Sequence, residues 1–159
     1  GADVREIDLT AMHGRIGFIM QESMLFNASI RENLRYGKED AADEEMEAAC
    51  RKAFIYDFIC GLEDGLDTVI GERGVRLSGG QRQRIVLARL FLRNVDVFVF
   101  DEATSALDQY SESVVYDAIR NIARDKTIII VAHRESSVAL CDRRIQLKEA
   151  CLSRTSLRP

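Results

Sequence analysis

Two short, almost wholly apolar runs constrain this chain most. Val95-Asp96-Val97-Phe98-Val99-Phe100 has no polar alternation after Asp96 and closes on Asp101-Glu102. Thr127-Ile128-Ile129-Ile130-Val131 has the same character, and His133 follows just past its end. A continuous apolar run of this length reads as a strand buried on both faces, as in parallel sheets. Between the two, over residues 109–123, Val114, Val115, Ala118, Ile119 and Ile122 fall on one side of an amphipathic helix. Strand, helix, strand in that order dictates a right-handed parallel crossover, and with it an α/β fold.

The rest of the chain adds elements to that unit. Arg15-Ile16-Gly17-Phe18-Ile19-Met20 reads as another short strand, with Gln21 at its end. A short helix is predicted over residues 29–34, capped by Asn27 or Ser29. Asp43-Glu44-Glu45-Met46 opens a better one: Asp43 can cap, the acids suit the positive end of the helix dipole, and Met46, Ala49, Cys50 and Ala53 share a face. Residues 61–74 are glycine-rich and charged and read as loop. Ser78 then caps a helix over residues 80–92, with Ile85, Ala88 and Leu92 on one side and Arg82, Arg89 and Arg93 on another. A last short strand is expected at residues 144–147.

Composition removes several function classes. With 159 residues the chain is one domain or a large piece of one. Lys plus Arg number 22 against 26 Asp plus Glu, a net charge of -4, which argues against nucleic acid as an electrostatic partner. No run approaches the roughly 18 apolar residues that cross a bilayer, and the first residues have no apolar stretch of the kind a secretory signal needs. Cys50, Cys60, Cys141 and Cys151 form no C-x-x-C pair and have no histidine at ligand spacing, so they read as reduced thiols rather than a zinc site or disulfide framework.

Position then points to chemistry. Gln21, Asp101, Glu102 and His133 all follow apolar strands, and open parallel sheets bind ligands off the carboxyl ends of their strands. Taken alone, Asp101-Glu102 reads as well as an acid pair opening a helix as it does a Walker B site. In the second case one carboxylate holds Mg²⁺ and the next orients water toward a phosphate. Leu77-Ser78-Gly79-Gly80-Gln81 is sharper. Two glycines permit close backbone approach, the following helix offers unpaired N–H groups, and Ser78 adds a hydroxyl, which together suit a terminal phosphate.

Leu77-Ser78-Gly79-Gly80-Gln81, the acidic strand end and Ala103-Thr104-Ser105-Ala106-Leu107-Asp108 resemble the nucleotide-binding domain of an ABC transporter. Gln21 resembles its Q-loop and His133, in Val131-Ala132-His133-Arg134, its switch histidine. Asn27-Ala28-Ser29-Ile30-Arg31-Glu32-Asn33 and Gly71-Glu72-Arg73-Gly74 are similar to the exporter branch. The resemblance implies a P-loop NTPase-type parallel sheet core with an inserted α-helical subdomain, N-terminally truncated. Residues 1–21 and 94–149 would form the α/β core, 22–93 the helical subdomain with the signature, and 150–159 an unassigned tail. It implies ATP and Mg²⁺: Asp101 and Gln21 toward the metal, Glu102 polarising the attacking water, His133 on the γ-phosphate. Ser78, Gly79, Gly80 and Gln81 would close on ATP held by the opposite subunit of a head-to-tail dimer, with Asp108 in the D-loop at that interface. A transmembrane domain, fused or separate, would be the second partner, placing the chain at the cytoplasmic face of a membrane.

The phosphate cradle G-x-x-x-x-G-K-[ST] is absent: Gly37-Lys38 is the only Gly-Lys pair, Glu39 follows it, and position 32 is Glu. The family places that loop ahead of Gly1, so the chain reads as the back part of such a domain. By itself it is expected to hydrolyse ATP negligibly and to fold marginally or aggregate. Val95, Glu135 and the segment from Lys148 depart from the family pattern. Two further readings stand beside the exporter ATPase. One is a DNA-maintenance ATPase head of the SMC type; the other is a non-catalytic half-domain that only binds a partner.

Overall fold

The structure is a computed structural model and describes residues 3–20, 24–71, 75–104, 107–122, 126–132 and 141–145. After a 3-10 turn at Val4–Glu6, helix α1 (Leu9–Arg15) starts where Asp8 accepts the Thr10 N–H at 2.8 Å. The sequence reading had no helix there, because α1 buries no residue and so carries no apolar stripe. Strand β1 (Ile16–Met20) follows directly, and β2 (Ala28–Ser29) leads into α2 (Ile30–Arg35). Ser29, not Asn27, caps α2: its hydroxyl accepts the Glu32 N–H while Glu32 accepts the Ser29 N–H, a reciprocal capping box.

Helix α3 (Asp43–Lys52) begins one residue earlier than a capping Asp43 would require. Ala42 is the cap residue, and Glu45 reaches back to its N–H at 3.0 Å. Met46, Ala49, Cys50 and Ala53 are all buried, as their spacing predicts. After α4 (Tyr56–Cys60), residues 61–74 are not simply loop. They hold a 3-10 turn at Gly65–Asp67 and strand β3 (Val69–Ile70), antiparallel to β2. Two residues of backbone pairing leave no periodicity to read, so only the partner strand makes β3 visible.

Helix α5 (Gly79–Arg93) ends at Asn94, whose positive φ of 50° closes the helix in the left-handed conformation that asparagine tolerates. Strand β4 (Val97–Asp101), helix α6 (Gln109–Ile122) and strand β5 (Thr127–Val131) complete the described elements. Residues 144–145 are irregular and 146–147 lie outside the described residues, so the expected last strand is not observed where the structure can be read.

The parallel sheet has the order β1-β4-β5, with β4 in the middle. One face is covered. Phe91 of α5 meets Phe98 edge-on at 6.3 Å, and Tyr116 and Ile119 of α6 lie with Phe100 and Ile130. Among the described residues the other face is open, which corrects the expectation of strands buried on both sides. Phe98 and Phe100 are buried, but β5 alternates between half-buried and exposed, and Phe18, Met20, Ile129 and Val131 are all exposed. Helix α5 touches α2, α3, β1 and α6. No helix among the described residues is long and apolar enough to cross a membrane.

Candidate functional site

The site is built on the ends of three strands. In the sheet register Met20, Asp101 and Val131 are direct neighbours, with Asp101 in the middle. Gln21 and His133, expected just beyond Met20 and Val131, lie outside the described residues. Asp101 ends β4 exposed to solvent, and Glu102 follows half-buried.

Glu102 has a φ of 46°, in the left-handed region that a residue with a Cβ avoids. Such a conformation persists only when its surroundings over-determine it. Here they do. The Glu102 N–H donates to the Val131 carbonyl of β5 at 3.0 Å. The next carbonyl, Ala103, accepts from the Gln83 side-chain amide of α5. The Thr104 hydroxyl meets Glu112 Oε1 at 3.1 Å and the Tyr116 hydroxyl at 2.9 Å, both on α6. Tyr116 also donates to Glu112 Oε1 at 2.9 Å. Gln83, Thr104 and Glu112 are all buried. A small cleft beside this turn is lined by Glu102, Thr104, Tyr116 and Ile130, among others.

The glycine motif sits at the start of α5. Ser78 is the cap: its Oγ accepts the Gln81 N–H at 3.2 Å, and Gln81 Oε1 accepts the Ser78 N–H at 2.8 Å. The Arg82 N–H bonds the Ser78 carbonyl at 3.0 Å, so Gly79 and Gly80 are left as the first-turn donors with no intrahelical acceptor. Ser78 and Gly79 are exposed, while Gly80 is buried. A Cβ at Gly80 would stand 2.6 Å from Ser111 Oγ and 2.7 Å from its Cβ, so only glycine lets α5 approach α6 this closely.

Ser111 is in turn held by Asp108. Its N–H and Oγ donate to the two Asp108 carboxylate oxygens at 3.0 and 2.7 Å, and these bonds hold the Asp108 carboxyl below the usual carboxylate range. The structure therefore joins Gly80 to Asp108 through one serine. It also joins α5 to the acid turn through Gln83.

The residues that hold the turn were not singled out in the sequence, although a signal exists. Gln83 is a polar side chain on the buried stripe shared by Gly80, Leu87 and Leu90. Glu112 and Tyr116 are four apart on the face of α6 that buries Val115 and Ile119.

The donors at the strand end are oxygens. Among the described residues no group of three His, Cys, Asp or Glu side chains converges on a point, and the exposed Asp101 carboxylate at the strand end is the candidate protein ligand. That ligand fits Mg²⁺, which takes one or two protein carboxylates and fills its shell with water and substrate phosphates, and it does not suit a soft metal.

Comparison with known proteins bears on the family and the fold. The family model described as ABC transporter matches residues 1–105. The chain is 48% identical over 147 residues to ABC transporter ATM1 of Toxoplasma gondii, covering 92% of this chain and 13% of that protein. It is 44% identical over 153 residues to the ATP-dependent lipid A-core flippase of Chromobacterium violaceum, covering 96% of this chain and 26% of that protein. Among solved structures, a bacterial Atm1-family ABC exporter with ATP bound aligns at a TM-score of 0.78 and 41% identity, over 87% of this chain and 24% of the other. The chain thus spans about a quarter or less of the length of these proteins. The match is to transporters rather than to the DNA-maintenance heads that share a similar signature.

Proposed function

Since this chain belongs to the ABC transporter family, we propose that it is the C-terminal part of an exporter's ATP-binding domain, hydrolysing ATP to drive transport by a membrane-spanning partner domain. In this reading residues 1–21 and 94–149 are the α/β core and 22–93 the helical subdomain. The carrying observation is the end of β4. It places Asp101 at the sheet's centre and holds Glu102 in a left-handed conformation directly after it.

Glu102 orients a water molecule and takes its proton as the water oxygen attacks the γ-phosphorus. The bond to the bridging oxygen breaks, and ADP and phosphate leave. Asp101, with Gln21, holds Mg²⁺, which when bound offsets charge on the phosphate oxygens. His133 contacts the γ-phosphate. The N-terminus of α5, with Ser78, Gly79, Gly80 and Gln81, faces ATP held by a second nucleotide-binding domain, and Asp108 lies at that head-to-tail interface. Gly79 and Gly80 support this role, because their N–H groups have no acceptor within the helix. The working assembly sits at the cytoplasmic face of a membrane.

The test is MgATP hydrolysis by the complete transporter polypeptide. Glu102→Gln keeps the shape and removes the base, and turnover is expected to fall on the order of 10²-fold or more. Unchanged turnover overturns the assignment. The 159-residue chain alone contains no G-x-x-x-x-G-K-[ST] and is expected to turn over MgATP no faster than its own Glu102→Gln variant.

A further inference from the structure

We propose that Gln83 and Glu112 are positioning residues that hold Glu102 in its working conformation, one acting from the signature helix and one from the helix after the acid turn. This rests on the ATPase reading above and adds to it two residues that touch no reacting atom.

The argument begins with the backbone. Glu102 sits at a φ of 46°, and a non-glycine residue released from its constraints relaxes out of that region. Three elements prevent it. Strand β5 takes the Glu102 N–H at Val131. Helix α5 takes the following carbonyl, Ala103, through Gln83. Helix α6 takes the Thr104 hydroxyl through Glu112, which also accepts from Tyr116. The two side-chain clamps act on the two residues immediately after Glu102, so they fix the direction in which its carboxylate leaves the strand.

Chemistry selects these side chains. A carbonyl accepts only from a donor, so the Gln83 amide must present Nε2 to Ala103. Gln83 is 2% exposed, and water does not replace that bond. Glu112 Oε1 accepts from both hydroxyls, those of Thr104 and Tyr116, a role an amide oxygen also fills and a hydrocarbon does not. Gln83 also lies one turn from Gly80, whose close contact with Ser111 ties the same helix end to Asp108.

The experiment uses the complete transporter polypeptide, with kcat and the KM for ATP measured alongside thermal unfolding. Gln83→Met keeps the volume and removes the donor. It is expected to lower kcat on the order of tenfold while KM stays within about twofold, since a misplaced group raises the barrier without weakening ground-state binding. Glu112→Leu is expected to do the same, and Glu112→Gln to retain near-normal kcat because its oxygen still accepts both bonds. That rescue separates positioning from bulk packing. If kcat is unchanged in Gln83→Met and Glu112→Leu, the proposal is wrong. It is equally wrong if Glu112→Gln loses as much kcat as Glu112→Leu, or if KM rises with no loss of kcat. Should Gln83→Met fail to fold, the Glu112 pair decides. A wild-type protein whose turnover ignores Glu102→Gln refutes the ATPase reading itself, a result distinct from any of these.

Discussion

Asn33 shows how much one side chain can carry. It is fully buried and uses its whole hydrogen-bonding capacity. Its Oδ1 accepts the Phe26 N–H and an Arg89 guanidinium N–H, both at 2.9 Å. Its Nδ2 donates to the Phe26 and Ser29 carbonyls, both at 3.0 Å. Arg89 then lies 5.7 Å from the centroids of Phe26 and Tyr36, rings stacked on each other at 4.2 Å. Asn33→Asp is nearly isosteric but replaces two donors with an acceptor facing two carbonyls. It is expected to cost about 2–4 kcal/mol of stability, read from denaturant midpoints, with Arg89 relieving only part of the added charge. A loss under about 0.5 kcal/mol would contradict this account. Cys50 makes a second residue-scale case. It is buried, and desolvation pushes its thiol pKa up to about 12. A thiol reagent near neutral pH should modify the exposed Cys60 and Cys141 promptly and Cys50 only after denaturant is added.

At the scale of elements, ion pairs join segments distant in the chain. Arg31 of α2 pairs with Asp43 at the start of α3 and with Asp67 in the 3-10 turn, the latter at 2.7 Å. The Arg31 bond holds Asp67 below the usual carboxylate range, Lys38 does the same for Glu45, and Arg15 for Asp96. A carboxyl whose folded-state pKa is depressed stabilises the fold above its unfolded pKa, and that stability is lost as pH falls through the folded value. The thermal midpoint should therefore be flat from neutrality to about pH 5 and fall below about pH 4. Added salt should shrink the neutral-pH advantage, because these pairs are largely exposed. A midpoint that rises on acidification would rule out this reading.

At the scale of the whole molecule, the open sheet face is the notable feature. Phe18 and Met20 of β1 are 57% and 62% exposed, and Ile129 and Val131 of β5 are 49% and 47% exposed. Among the described residues β1 and β5 are also the outer strands, so apolar surface and strand edge coincide. The 159-residue chain by itself is expected to associate as its concentration rises, seen by light scattering. Ile129→Lys should reduce that association with little loss of thermal stability, since the position is already half in water. A monodisperse wild-type sample at high concentration would contradict this expectation.

Much of the fold was legible in residue order because its signals are local. Period and length marked β1, β4, β5, α3, α5 and α6, and the caps Ser29 and Ser78 begin helices where hydroxyl chemistry favours them. Short motifs marked Asp101, Glu102, Asp108 and the glycine pair as candidates, and the structure puts Asp101 and Glu102 at the end of β4 and the glycine pair at the start of α5. The reading failed where local pattern is weak or misleading. Helix α1 buries nothing, β3 is two residues long, and β5 looks buried on both faces because apolar content does not say what covers a strand. Tertiary structure alone decided that the start of α5 reaches both the acid turn and Asp108, and that Glu102 is held with positive φ. Those links join residues about twenty or thirty positions apart in the chain. No local propensity encodes such a contact, because it exists only once α5, β4 and α6 have packed.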